Sequence, residues 1–143
     1  MKLIIAGTRP PDYIVKNVKK YAEWMILLFN SVSDRGIRYG TFSSVDDDER
    51  EIVSGGAHGT DHAGEIIARM MMDVKLTVFN ADWKTHGKTA GMIRNREMAD
   101  YADELLLVWD GKSAGSKNMK EEMMKRGKPV HELVIEDWTL GVK

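Results

Sequence analysis

The chain has 143 residues, 43% of them apolar, and 21 Lys+Arg against 22 Asp+Glu give a net charge of −1. That suits one domain around one core and argues against a protein that coats nucleic acid by bulk charge. Cysteine is absent, which excludes disulfides, thiolate zinc sites and cysteine nucleophiles together.

Leu3-Ile4-Ile5-Ala6-Gly7 is a short apolar run closed by glycine, the pattern of a strand buried on both faces. Asp12 then caps a helix whose apolar stripe runs Ile14, Val18, Ala22, Met25 and Phe29. Residues 31–51 are polar, include the acidic run Asp46-Asp47-Asp48-Glu49, and read as a solvated loop insertion with a short extra strand near Arg38–Phe42. Ile52-Val53-Ser54 is a second core strand. After the turn that follows it, a helix should bury Ala63, Ile66, Ile67, Met70 and Met71. Lys75–Phe79 reads as a third strand, Asn80–Ala90 as a long polar loop, and Gly91–Ala102 as a helix. Leu105–Trp109 is the strongest buried-strand run; Met119 and Met123 mark a short helix after it, and Pro129–Ile135 supplies a last strand. Strands alternating with helices predict an α/β fold, a single-domain open parallel sheet of Rossmann-like type with helices on both faces. The longest strongly apolar run, Trp24 to Phe29, falls far short of the roughly 18 residues of a membrane span. Met1-Lys2 leads into the first strand without a leader pattern, so a soluble cytoplasmic protein with no membrane partner is expected.

Ligands bind such sheets at the strand-end loops, and three of those loops are glycine-rich or small-residue turns that open helices. They are Gly7-Thr8-Arg9, Gly55-Gly56-Ala57-His58-Gly59-Thr60, and Gly111 to Ser116. A helix start presents unpaired N–H groups and partial positive charge, and glycine lets an anion approach that backbone. Thr8, Thr60, Ser113 and Ser116 add hydroxyls. Three such turns in one small domain point to a phosphate or carboxylate cradle. The stretch Lys84–Arg96 holds Lys84, Lys88, Arg94 and Arg96 and no acid. Lys84 and Lys88 read either as a solvated face or as ligand contacts. Arg94 falls in the first turn of the predicted helix, where a cation opposes the dipole, so a bound anion is expected beside it. Trp109 reads as core, and Trp83 either as core or as a base-stacking surface.

Other motifs fail on spacing. Gly111-Lys112-Ser113 and Gly87-Lys88-Thr89 resemble a P-loop end, but Leu106 and Asp82 stand where its first glycine belongs. His58 and His62 lack the helical placement of a zinc pair, so no metal is expected. Ser54 lacks the glycine of a nucleophile elbow, because Ile52 occupies that position.

The stretches Val53–Asp61 and Arg94–Ala99, with the Leu105–Trp109 strand and Ser113–Ser116, resemble the SLOG superfamily of Rossmann-like proteins. The resemblance is nearest to its YspA, cpYpsA-related branch, whose pattern also includes Gly7-Thr8-Arg9, Asp82-Trp83, His86-Gly87-Lys88, Ala90-Gly91 and Trp109–Ser113. It covers most of the chain outside residues 31–51 and implies a nucleotide-derived ligand and no separate cofactor. Among more distant relatives, the single-strand-binding protein DprA has motifs similar to Ser54–Asp61 and Arg94–Arg96. The LOG phosphoribohydrolases use an arginine that matches Arg94 and a glutamate whose place is taken by Met119 or Ala63. Neither of those can stabilise an oxocarbenium-like transition state or move a proton. Asp61, Glu65 and Asp110 are the carboxylates that could substitute.

The expectation is a nucleotide-binding domain, acting as a sensor or as a hydrolase of an N-glycosidic or phosphate-ester bond. Its ligand phosphate would lie across the helix starts at Gly55–Thr60 and Ser113–Ser116 and pair with Arg9 and Arg94; Gly7, Thr8, Ser54, Gly56, Ala57, Gly59, Asp82, Trp83, Lys88, Asn95, Asp110, Gly111 and Gly115 complete the expected ligand contacts. Arg94, Asp61 and Glu65 are the candidate catalytic residues. The alternative is a DprA-like single-stranded nucleic-acid binder using Lys84–Arg96 and Trp83. Members of the superfamily are commonly dimers, and Met70-Met71-Met72 and Met123-Met124 offer adaptable surface for a homodimer unless they pack under the sheet.

Overall fold

Leu3–Ala6 and Leu105–Trp109 are apolar at every position, and such strands must lie between two covering layers. They form the centre of the fold. The computed structural model describes residues 2–8, 11, 16–17, 19–23, 37–38, 41–42, 50–56, 61, 63–66 and 74–135. Its elements are β1 (Lys2–Gly7), β2 (Ile37–Arg38), β3 (Thr41–Phe42), β4 (Arg50–Ser54), β5 (Val74–Val78), α1 (Trp83–His86), a 3-10 turn over Gly87–Thr89, α2 (Ala90–Tyr101), β6 (Glu104–Trp109), α3 (Ala114–Lys125) and β7 (Val130–Val134).

Five strands form one parallel sheet in the order β5-β4-β1-β6-β7. The fold is therefore the expected Rossmann-like α/β type. The chain builds outward from β1 to β5, then returns to lay β6 on the other side of β1. Ile4 pairs with Val53 of β4 and with Leu105 of β6. The point where strand order reverses, and where the loops beyond the strand ends diverge, thus lies between β1 and β6.

One face of the sheet presents Ile4, Ala6, Leu105, Leu107 and Trp109 to Met98, Ala99 and Ala102 of the α2 segment and to Met119 and Met123 of α3. On the other face, a Cβ at Gly64 would come within 2.8 Å of Ile5, so the helical residues 63–66 press their backbone onto β1. Tyr21 and Ala22, in the helical residues 19–23, are fully buried. The rest of the predicted first helix and Met70–Met72 lie outside the described residues. Met123 is core, as the packing alternative has it, whereas Met124 is 60% exposed.

Two elements differ from expectation. The predicted loop 80–90 contains α1 and the 3-10 turn, because the Asp82 side chain accepts the Thr85 N–H at 3.1 Å and caps a helix that buries no residue. With no apolar stripe, hydrophobic periodicity could not show it. The extra strand in the insertion is a pair of two-residue strands, β2 and β3, antiparallel with Ile37 opposite Phe42. No helix among the described residues is long and apolar enough to cross a membrane.

Candidate functional site

Beyond the carboxyl ends of β1 and β6 lies a cleft of about 190 Å³ lined by Ala6, Gly7, Thr8, Asp61, Arg94, Asn95, Met98, Ser113, Gly115, Ser116 and Met119. Eight of these are residues singled out in the sequence. Ala6 and Met98 were missed and Met119 was noted only as the replacement of a glutamate; Met98 and Met119 follow Arg94 and Ser116 at helical spacing, which is the signal that finds them.

The β6–α3 turn is built around Asp110. Its Oδ1 accepts the N–H groups of Lys112 and Ser113, both at 2.8 Å, and the Ser113 hydroxyl at 2.9 Å. The Thr8 hydroxyl accepts the Asp110 N–H at 3.1 Å and lies 2.9 Å from Ser113 Oγ, so the ends of β1 and β6 are knitted together. The amides of Lys112 first, and then of Ser113, hold the Asp110 carboxyl down at about 2. Gly111 turns at φ +80°, a conformation L side chains resist. Asp110 and Gly111 therefore shape the turn and stand outside the cleft lining. The Lys112 and Ser113 amides serve an internal carboxylate. Ser113, however, makes no side-chain cap bond to α3, and Gly115 and Ser116 in its first turn line the cleft.

Arg94 belongs to the second turn of α2, which starts at Ala90, so the expected conflict with the first-turn dipole does not arise. Its Nη1 donates to the Gly55 carbonyl at 2.5 Å and its Nε to Asn95 Oδ1 at 3.2 Å. A Cβ at Gly55 would lie 2.6 Å from Arg94 Nη1 and 2.7 Å from Asp61 Oδ2, so glycine at 55 makes room for both. Asn95, buried, donates its Nδ2 to Gly115 O at 3.2 Å and to Asn118 Oδ1 at 3.0 Å, tying Arg94 to the start of α3. Asn95 is thus a strut that touches the cleft.

Asp61, 5% exposed, is the acid among the described cleft residues. Ser54 and Glu65 are elsewhere: the fully buried Ser54 hydroxyl donates to Glu65 Oε2 at 2.9 Å and accepts the Gly56 N–H at 3.0 Å. They hold the β4 turn, and Ser54, Gly56 and Glu65 stand outside the described cleft lining. Asp82 caps α1; hydrogen bonds from Thr85 hold its carboxyl below the ordinary value. Lys88 is exposed on the 3-10 turn, outside the cleft lining. Trp109 is core, with its indole N–H donated to Glu132 at 2.8 Å, whereas Trp83 is 61% exposed and is not core. Arg9, Ala57, Gly59 and Thr60, and with them His58, His62 and the acidic run 46–49, lie outside the described residues.

The chain is 36% identical over 84 residues to the Gene 61 protein of Mycobacterium phage D29, a match spanning 55% of this chain and 67% of that one. No protein-family model matches the chain. No solved structure matches it either.

Proposed function

We propose that the chain, which belongs to one family with the Gene 61 protein of Mycobacterium phage D29, binds a nucleotide or nucleotide-derived ligand with its phosphate in the β1–β6 cleft. The observation that carries this reading is the meeting of Arg94 with the uncapped first turn of α3 in one cleft at the reversal of strand order. Arginine has five N–H donors, and two of Arg94's are used on Gly55 and Asn95, which leaves the rest of the fork for an anion. Thr8, Ser113 and Ser116 add hydroxyls beside it. The resemblance to the SLOG superfamily supports the same ligand class, and such a ligand fits a cytoplasmic protein.

At about 190 Å³ the cleft is smaller than the roughly 300–1,000 Å³ of pockets that enclose whole ligands. It suits a phosphate and a sugar, with the remainder of the ligand outside. Asp61 would accept a hydrogen bond from a sugar hydroxyl. N-glycosidic hydrolysis commonly uses two carboxylates, and the described cleft offers one, with Met119 where the LOG glutamate would stand. A sensor or carrier is therefore the better-supported form of the reading than a hydrolase.

Thermal melting tests it with AMP, ADP-ribose, NAD and cyclic nucleotides. A ligand at about 100 times its dissociation constant adds about 2.7 kcal/mol, a rise of several degrees. A melting temperature unmoved by every one of them at millimolar concentration contradicts the reading.

A second reading, single-stranded nucleic acid, is favoured by the exposed run in which Trp83 stands next to Lys84 and near Lys88. Salt separates the two. Binding of an oligonucleotide that neutralises several phosphates weakens steeply with salt, whereas a single phosphate gives a shallow slope.

A further inference from the structure

Trp83 is a large aromatic side chain that stands mostly in water, 61% exposed. Its placement is not the result of a frayed loop. Asp82 caps α1 through the Thr85 N–H, the His86 N–H reaches Asp82 O at 3.0 Å, and the Thr89 hydroxyl donates to His86 O at 2.9 Å. The turn is tied down, and the ring is held in water by it.

The ring also has a defined neighbour. Its Cη2 lies 3.5 Å from where a Cβ at Gly91 would stand. Positions 91, 94, 95 and 98 recur at three- and four-residue spacing, so they share one face of α2. Arg94, Asn95 and Met98 on that face line the cleft. Trp83 therefore rests against the outer end of the same face, at Gly91, which precedes Arg94 by three residues, about 4.5 Å of helix rise. The cleft itself has room for a phosphate and a sugar and holds no aromatic side chain among its lining residues.

We infer that Trp83 is the platform on which the aromatic base of the cleft's ligand stacks, so that the ligand class is a heterocyclic base joined through a sugar to the phosphate. The inference rests on the reading of the cleft as a phosphate site. An indole face offers every base a flat apolar surface, and Lys84, His86 and Lys88 around it are exposed polar residues rather than an apolar patch for a protein partner. A Cβ at 91 would meet the ring at ordinary contact distance, so the ring lies beside the α2 backbone on the face that continues into the cleft.

Isothermal titration of AMP, GMP, CMP, UMP and ribose 5-phosphate separates the two layers of this reading. The wild-type chain is expected to bind at least one of the four nucleotides more tightly than the sugar phosphate. Trp83→Ala should weaken that nucleotide by about 5- to 100-fold, the usual range for a lost base stack, and leave ribose 5-phosphate unchanged. Trp83→Phe, which keeps a ring, should recover most of the loss, and circular dichroism should show both variants folded. If ribose 5-phosphate binds but no nucleotide binds more tightly, or if Trp83→Ala leaves the nucleotides untouched, Trp83 is not the platform. If none of the five compounds binds, the phosphate reading of the cleft falls, and the platform with it.

Discussion

The two ends of the parallel sheet treat charge in opposite ways. At the end where the strands begin, charged groups close on one another. Lys75 lies 3.8 Å from the buried Glu51, and His131 lies 3.3 Å from Glu104. Arg126 pairs with Asp100 at 2.7 Å. At the cleft end, the charged groups are held by neutral dipoles instead. Arg94 bonds a carbonyl and a side-chain amide, and Asp110 bonds two N–H groups and a hydroxyl. The guanidinium of Arg94, held by dipoles, keeps N–H donors for something outside the chain, whereas the Asp110 carboxylate closes its own turn. A charge held by its opposite has been spent on the fold.

The substitution expected to do most damage at the cleft end is Gly55→Ala. Its methyl would collide with both Arg94 and Asp61, so nucleotide binding should fall more than tenfold, with an overpacking cost of about 1–3 kcal/mol in urea unfolding. Unchanged binding would mean that the arrangement of those two side chains does not matter. Arg94→Ala removes the fork without adding bulk. The loss of a charged hydrogen bond, about 1.5–3 kcal/mol, corresponds to roughly 10- to 150-fold in titration calorimetry. Arg94→Lys should restore only part of it, since an ammonium lacks the planar fork.

At the opposite end the effects should be smaller and of the other kind. Arg126→Ala breaks the pair with Asp100 and the bond to Glu122 O. Asp100 is largely in water, so that pair contributes at most about 1 kcal/mol; the buried Glu122 carboxylate, 3.7 Å from Arg126, keeps Lys125 at 3.3 Å, and nucleotide affinity should be unmoved. A drop in affinity would erase the contrast between the two ends. The smallest effect is a pH dependence. Asp110 is held at about 2, below the ordinary carboxyl value of 3.8, by the amides of Lys112 and Ser113. A carboxyl depressed in the folded state stabilises above its unfolded value and loses that contribution as pH falls toward the folded one. The stability advantage of the wild-type chain over Asp110→Asn should thus be full above pH 4 and fade between pH 4 and 2. An advantage that persists at pH 2 would contradict the amide-bound carboxylate.

Much of this fold is written in local runs. Leu3–Gly7 and Leu105–Trp109 announce themselves because a central parallel strand is apolar on both faces, and alternation with helices then implies the sheet. The cap that makes α1 was invisible to periodicity, since Asp82 and Thr85 act through hydrogen bonds and that helix buries nothing. In the candidate site, residue types could be read but not partners. Ser54, Glu65, Asn95 and Asp110 all carry groups fit for a ligand, yet each is engaged within the chain: Ser54 with Glu65, Asn95 with α3, Asp110 with its own turn. Which polar groups are consumed internally depends on three-dimensional neighbours as distant as Thr8 from Asp110, 102 positions along the chain. The apolar lining by Met98 and Met119 was hidden for a related reason, because methionines at helical spacing read as core, and these two are both core and cleft wall.

The central claim is that an anion sits where Arg94 and the first turn of α3 meet. Titration of isotope-labelled protein with AMP, followed by amide and arginine side-chain nuclear magnetic resonance, reads that location directly. Saturable shifts at Thr8, Gly115, Ser116 and the Arg94 Nε–H, with the Lys2–Asp103 end of the sheet silent, are the expected result. Shifts that gather at the opposite end, or that spare the amides of Gly115 and Ser116 while the nucleotide demonstrably binds, would contradict it.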